Sequence, residues 1–455
     1  MYQVKRINIS QGKHPEIYGY LDSLCHAANN LRNAALFRIR QVLTMTEKEE
    51  TAYTSNEKEI HDEIMSALPR MGSRYRMPEK GKAFLSYPFL NQLLNVTENP
   101  DYYNPALPRQ SAQQTLKVLV KEMKSFYAAV KGYAKNPGNY TGRPKLPGYG
   151  RSGGMHTVIL TNQDCKVYGN ITEGYELKLP LIKERLFLGK ISIEGILKQV
   201  TVTPCHGIFI LTLVIDDGVL PPDLKETERI ISIDLGTNNI AAITNNIGKP
   251  CLLFKGGAVK SMNQWYNKKM AEYQAKQTKG KTEKFKPTRK SEKLCIWREN
   301  HLRDFLHKTA CEILRYCREW EIDTIVIGHN KLQKQKIRIG HGNNQSFTEI
   351  PYDRLRQYIR YRAEKEGIRV IDQEESYTSK ASFPDKDRIP VYGKENTEPS
   401  FSGKRIKRGL YQTKDGQIIN ADLNGAANIL RKWKEDAFDK QLPHFDEIIV
   451  CRYPR

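Results

Sequence analysis

Residues 230–244 read IISIDLGTNNIAAIT. Three isoleucines and a serine lead into Asp234, a Gly-Thr turn follows, and a second apolar run starts at Ile240. Short apolar runs bounded by turn residues predict strands buried on both faces. In an α/β layer, sites are built where such strands end, so Asp234 is the first candidate for chemistry. On this segment alone, a turn-capping Asp explains it equally well.

Working outward, the C-terminal half continues the pattern. CLLF (251–254) and TIVIG (324–328) predict further buried strands, and IRVIDQ (368–373) another. Between them lie a basic helical stretch over 260–308 and a helix PYDRLRQYIRYRAEKEG ending at Gly367. ADLNGAANILRKWKE (421–435) predicts a closing helix with Asp422 at its start. Alternating strands and helices imply an α/β layer with parallel pairing. Upstream, YQVKRINI (2–9) alternates as a strand. Helical spacing of apolar residues follows from about 19 to 46 and over Gln110–Lys131, with an irregular polar stretch over 47–104 between them. From about 155 to 217 the runs HTVILT, YELKLP, LFLG, QVTVTP and GIFILTLVID predict a small barrel or sandwich.

The chain has 455 residues, 73 Lys plus Arg and 51 Asp plus Glu, a net charge of +22. That surplus calls for a polyanionic partner, while 39% hydrophobic content is enough to build cores. A basic ribosome-associated or scaffold protein is the plainer account of the same charge. Residues 260–308 hold 14 basic against 5 acidic residues, a local +9. No apolar run reaches the roughly 18 residues of a membrane span, and the first residues lack an apolar signal core. A cytoplasmic, nucleoid-associated prokaryotic protein with no membrane partner is expected. The eight cysteines are scattered without a C-x-x-C pair, which disfavours a disulfide framework or a Cys-rich zinc site.

In so basic a chain, acids at strand and helix ends stand out: Asp234, Asp422, and Glu375 in VIDQEESYTSK. Each has a plain reading: a turn cap, a helix N-terminal Asp, a solvated acidic loop. Together they suggest a carboxylate cage for two Mg2+ or Mn2+ ions, which take oxygen ligands. Such ions about 3.5–4 Å apart clamp a phosphodiester for hydrolysis.

At these residues the C-terminal half resembles the RuvC-type nuclease domain of TnpB, the transposon-encoded RNA-guided nuclease, and its relatives the compact type V CRISPR effectors. IDLGTNNIAA is similar to the first RuvC motif, YTSK (377–380) to the family's Tyr-Thr-Ser stretch, and NADLNGAANI to the third motif. The similarity covers about 229–435. It implies a multidomain α+β fold: a first wedge strand (1–18), a helical recognition domain (19–140), a β-barrel wedge domain (141–227) and an RNase H-like (RuvC) α/β nuclease domain (228–455). The last would carry a basic helical segment (258–320) and a lid or degenerate zinc-ribbon loop (378–418).

Two departures from the family pattern matter. Family members usually carry Glu at the end of the strand corresponding to TIVIG, and here Gly328-His329-Asn330 stands instead. Some branches carry a relocated Glu just before the Tyr-Thr-Ser stretch, and Glu375 fits that spacing better than Glu374. The strands are neighbours about 4.8 Å apart in an RNase H-like sheet, so the next strand's Glu reaches a shared metal. The implied catalytic and metal-binding set is Asp234, Glu375 and Asp422. Second, the usual zinc ribbon of C-x-x-C pairs is missing, with no Cys between 318 and 450, so no zinc is expected. The loop from Lys380 to Lys414 holds 9 basic and 4 acidic residues, and packing and hydrogen bonds must hold it.

The implied partners are a guide RNA, which reads the target by pairing, and double-stranded DNA, with the protein reading backbone shape and a short flanking motif. Candidate contacts are Arg32, Arg38, Arg40, Lys121, Lys124, Arg143, Lys145, Lys380, Arg405 and Arg408 for phosphates, and Gln110, Gln113 and Gln114 for base edges. The alternatives are a nuclease-dead RNA-guided DNA binder acting as a repressor, a type V CRISPR effector in place of a transposon-encoded one, and a resolvase or transposase acting without RNA. Monomer and dimer are both open.

Overall fold

A computed structural model describes residues 1–191, 193–224, 226–280, 282, 284–330, 349–391, 399–407 and 409–454. The chain divides into two compact units, Met1–Val219 and Leu220–Arg455.

The first unit opens with β1 (Tyr2–Ile9), followed by α1 (Pro15–Met45), α2 (Ser55–Met71), α3 (Tyr87–Val96) and α4 (Arg109–Lys135). The stretch 47–104, expected to be irregular, holds two of these helices. Thr54 and Glu57 form a reciprocal capping box at the start of α2, and Ile60, Ile64, Ala67 and Met71 are its buried stripe. Pro69 lies inside that helix and disguises the periodicity.

Then come β2 (Val158–Thr161), β3 (Lys166–Asn170), β4 (Gly174–Lys178), β5 (Arg185–Gly189), β6 (Ile196–Cys205) and β7 (Ile208–Asp216). They form two antiparallel sheets, ordered β1-β7-β6-β2 and β3-β4-β5. The expected barrel does not close among the described residues. In the four-stranded sheet β1 and the four-residue β2 are the two edges and do not pair with each other. Helices α1 and α4 pack on this sheet, and that burial replaces closure.

The second unit holds β8 (Ile230–Asp234), β9 (Asn239–Asn245), β10 (Pro250–Lys255), α5 (Gly257–Thr278), α6 (Arg289–Glu319), β11 (Thr324–Gly328), α7 (Tyr352–Glu364), β12 (Arg369–Gln373), β13 (Lys404–Lys407), β14 (Leu410–Gln412), β15 (Ile418–Asn420), α8 (Ala421–Trp433) and β16 (His444–Cys451). The main sheet runs β12-β11-β8-β9-β10-β16. Its pairing is mixed where parallel strands were expected: β12, β11 and β8 are parallel, and so are β10 and β16, but β8-β9-β10 is an antiparallel meander. The loops after β8 and β9 are too short for a crossover, so those strands must turn back.

Ile231 and Ile233 face a core shared with α6 and α7, while Ile230 and Val326 face the core under α8. That two-sided burial is why the strands read as continuous apolar runs.

Candidate active site

The parallel register sets the site. Ile327 pairs with Ile233, and Gly328 pairs with Gln373. One row across three neighbouring strands therefore runs Asp234, Gly328, Gln373. Glu375 lies two residues beyond Gln373, just past the end of the edge strand β12.

Gly328 is where that reach becomes possible. A Cβ at Gly328 would lie 2.3 Å from Glu375 Oε2 and 2.6 Å from Ile429 Cδ1. Real Cβ atoms do not approach so closely, so the carboxylate occupies the space that any side chain at 328 would need. Asn330 fixes it from two sides: Asn330 Nδ2 donates to Glu375 Oε1 at 3.3 Å, and the Glu375 amide donates to Asn330 Oδ1 at 3.4 Å. Glu374 points to other work, accepting from Lys432 Nζ at 2.6 Å.

Helix α8 brings Asp422. Asn420 caps it, accepting from the amides of Asp422 and Leu423. Small residues let it lie close to the sheet: a Cβ at Gly425 would stand 2.9 Å from Asp234 Oδ2. Ser232 Oγ, itself buried in β8, donates to Ala426 O at 2.7 Å and pins the helix there. Two fully buried asparagines one turn apart then staple the Tyr-Thr-Ser stretch. Asn428 Nδ2 donates to Thr378 O at 2.9 Å and Ala381 O at 2.7 Å. Asn424 donates to Ala381 O and accepts from the Phe383 amide. Tyr377, in this stretch, holds φ +66°, a left-handed conformation uncommon for a tyrosine.

The electrostatics follow from this convergence. Burial first, then the charges of Glu375 and Asp422, push the Asp234 carboxyl well above the usual carboxylate range, and Arg405 offsets part of it. Burial and Glu374 push Glu375 up to about 7, against the pull of Arg356 and Lys432. Arg356 itself bridges Asp372 at 2.8 Å and His329 Nδ1 at 2.9 Å. Asp422 is held by Asn239 Nδ2 at 2.7 Å and Arg405 at 3.0 Å.

Asp234, raised by burial and by the charges of Glu375 and Asp422, marks an excess of negative charge that a divalent cation offsets, and all three carboxylates are oxygen donors. Yet among the described residues no group of three or more His, Cys, Asp or Glu side chains stands as a ready-made cage. Asp422 is turned to Asn239 and Arg405, and Glu375 to Asn330. This donor set suits Mg2+, which keeps several waters and takes few protein ligands.

Several expected contacts lie elsewhere. Arg32 is buried, its guanidinium bonded to Glu122 at 2.7 Å and Gly148 O at 2.9 Å. Arg38 is bound to Glu63 at 2.6 Å, and Arg40 donates to Pro147 O and stacks over Tyr149. Their helical spacing gave no sign that these charges are spent inside the first unit. Lys121, Lys124, Arg143, Lys145 and Lys380 are exposed. Gln110 donates to Gln163, and Gln113 and Gln114 are half-buried on α4. Arg408 lies outside the described residues. Asn239 and Asn330 escaped the sequence reading. The first stands inside the quoted 230–244 stretch, and the second has no local signal.

Where a zinc ribbon would sit, two aspartates gather the loop. Asp385 accepts from Ser382 Oγ at 2.5 Å, Ser402 Oγ at 3.1 Å and the Lys414 amide at 2.9 Å. Asp387 accepts from the Ser382 amide at 2.8 Å and Ser402 Oγ at 2.7 Å.

Residues 210–333 match the OrfB_IS605 family, described as probable transposase, and residues 352–429 match the Cas12f1-like TNB domain. The two matches bracket Asp234 on one side and Glu375 with Asp422 on the other. Over these stretches the chain is similar to the TnpB family. A TnpB-like protein, ORF457 of Acidianus two-tailed virus, is 28% identical over 212 residues, 45% of this chain and 42% of that protein. The chain thus matches less than half the length of that curated relative.

Among solved structures, the protein of a Cas12f1–sgRNA–target DNA complex is 13% identical, with 94% of this chain and 98% of that one covered at a TM-score of 0.49. The mini-RNA-guided endonuclease CRISPR-Cas_phi3 is 11% identical, with 95% and 92% covered at 0.43. No helix among the described residues is long and apolar enough to cross a membrane.

Proposed function

We propose that this chain is a metal-dependent, RNA-guided DNA endonuclease whose catalytic acids are Asp234, Glu375 and Asp422. The observation that carries the reading is the packing of Glu375 into the space above Gly328, in the same strand row as Asp234, whose carboxyl feels the charges of both Glu375 and Asp422. A chain that had merely lost its second acid would have no reason to bury another carboxylate there at the cost of raising it to about 7. This favours cutting over the repressor-like alternative.

In this reading the three carboxylates hold two Mg2+ or Mn2+ ions. Bound there, such ions would supply Lewis-acid polarisation of a phosphodiester and a more acidic water. The chain's own part is positional. Asp234 is fixed by the sheet, Asp422 by its helix cap, and Glu375 by Asn330 and the asparagine staples of α8. Arg405 keeps a positive charge beside Asp422. Exposed lysines and arginines grip the guide RNA and the target by their phosphates. The implied domains of the first half would hold the RNA, the 258–320 helices would line the strand path, and the 378–418 loop would act as a lid.

The test is cleavage of plasmid by the ribonucleoprotein, purified with its copurifying RNA, in the presence of Mg2+. Cutting should stop in Asp234→Ala, Asp422→Ala and Glu375→Ala while target binding persists. Target occupancy without cutting by the wild-type complex would favour the repressor reading. Sequencing the copurified RNA separates a transposon-end guide from a CRISPR-array guide, and absence of a discrete RNA would favour a resolvase or transposase.

A further inference from the structure

Helix α5 runs 22 residues, yet Val259 and Asn263 are the two that it buries. On that bare helix stands Trp265, 45% exposed and the most exposed of the chain's four tryptophans. An indole left so open is a large apolar surface in water, a cost that a covering partner removes. The ring is held in place. Trp297 of α6 meets it at 4.8 Å between centroids and 62°, and His301, one turn further along α6, lies 4.3 Å from Trp297 at 37°. His301 Nδ1 donates to Trp297 O at 2.8 Å, which fixes the imidazole. Asn263 accepts from Arg298 Nε at 2.8 Å, and Arg298 covers the Tyr266 ring, so the two helices are tied beside the aromatic ladder.

Charge says what would cover Trp265. Lys268, one turn along α5 from it, and Lys293, one turn before Trp297 on α6, are exposed and have no counter-charge among the described residues. Two acids on the same helices are already taken, Glu272 by Lys269 and Lys276, and Asp304 by Lys308. An open aromatic face with free ammonium groups beside it suits an unpaired nucleobase and its phosphates.

Position says which strand. Helix α5 begins at the candidate active site, where Gly257 and Lys260 line a polar cavity together with Asp422. Ser261, Gln264 and Lys268 follow Gly257 at helical spacing as one exposed stripe, and Trp265 flanks it between Ser261 and Lys268. At about 1.5 Å per residue, Trp265 lies about 12 Å along the axis from Gly257.

We propose that Trp265 stacks an unpaired base of the DNA strand being cut, with Lys268 on an adjoining phosphate. The inference rests on the nuclease reading above and adds to it the residues that hold the strand beside the carboxylates. The base lies within about four nucleotides of the cut, taking a rise of about 3.4 Å per nucleotide along one strand. Trp297 and His301 back the indole. Stacking there keeps the strand single and its backbone in one register with Asp422, without selecting a sequence, because every base has a π face.

Two measurements test this. The first needs neither a guide nor cutting. The full chain in Ca2+ is titrated with a single-stranded oligodeoxynucleotide while tryptophan emission is followed. Emission should fall as the strand binds. Trp265→Leu should remove most of that fall and weaken binding by about fivefold or more, whereas Trp265→Tyr should bind nearly as the wild type does. Lys268→Ala should lower the log–log salt slope by about one. Unchanged affinity and quenching in Trp265→Leu overturn the proposal, and if that variant also shifts from dimer to monomer in light scattering, the ring belongs to a second copy.

The second measurement places 2-aminopurine at single positions of the target DNA, bound to the ribonucleoprotein in Ca2+. One position within about four nucleotides of the cut should be quenched several-fold in the wild type and in Trp265→Tyr, and bright in Trp265→Leu. A Trp265-dependent quench found only with the probe in the guide RNA assigns the ring to RNA and overturns the proposal. Cleavage in Mg2+ is read separately. A wild type that cuts, with no DNA position responding to Trp265→Leu, sinks this proposal alone. A wild type that never cuts removes the nuclease reading, and the titration still decides whether Trp265 holds a DNA base.

Discussion

At the scale of single residues, the centre turns on a trade between Gly328 and Glu375. One volume beside Asp234 accommodates one carboxylate, and it is delivered from just after β12 because β11 ends in a residue without a side chain. Gly328→Ala should therefore cut at least about tenfold more slowly, since even an outer partner of a metal site is worth about 10–100-fold. The double change Gly328→Glu with Glu375→Gly, made with Ile429→Val to remove the second clash, should recover much of that loss; a triple variant no faster than Glu375→Gly alone would refute the shared-volume account. Asn330→Ala should cost about 10–100-fold for the same outer-partner reason.

The raised carboxyls also set a pH dependence. A carboxyl raised by folding gives stability that is present below its unfolded pKa and lost as pH rises through the folded value, here about 7 for Glu375. Metal-free protein should lose thermal stability between pH 5 and pH 8, and Mg2+ should restore it chiefly at the upper end, because metal needs the ionised ligands. Glu375→Gln should flatten the metal-free profile, and calorimetry across that range checks both.

At the scale of elements, α8 is the part that assembles the site. The small residues of NGAAN were legible as a helix that packs closely, and Asp422 as its acidic start. Its deeper role was not legible, because Asn424 and Asn428 act on backbone carbonyls more than forty residues away. Asn428→Leu leaves the carbonyls of Thr378 and Ala381 short of a donor in a buried place. It should cost about 1–3 kcal/mol and should uncouple Glu375 from the sheet, seen as cutting lost by more than the stability change explains. The Asp385 and Asp387 hub was anticipated only as a need: without cysteines, hydrogen bonds had to hold the loop. Misreadings at this scale have physical causes. Helix α2 was hidden by an internal proline although its Thr54–Glu57 capping signal was present, and β13 to β16 are too short or too exposed to announce themselves.

At the scale of the whole molecule, the +22 surplus is not uniformly available to a partner. Arg32 and Arg38 are spent on Glu122 and Glu63, whereas Lys121 and Lys124 stand exposed on α4. Binding of guide RNA measured against salt separates the two kinds. Lys121→Ala and Lys124→Ala should each lower the log–log slope by about one, leaving stability unchanged. Arg32→Ala should leave the slope alone and cost about 2–3 kcal/mol of stability, the worth of a charged buried hydrogen bond. The sequence by itself determined the long helices and the main strands of the central sheet, the buried character of those strands, the call for a polyanionic partner, and the three acids worth watching. These are properties of local pattern and total charge, which survive without knowledge of contacts. Only the tertiary structure decided that the sheet is mixed, that no barrel closes among the described residues, and that some arginines are internal. It also decided that Glu375, through the room left by Gly328, stands where a strand-end acid was missing. Those facts depend on pairing register and on side chains meeting across long stretches of chain, and no window of sequence contains both partners.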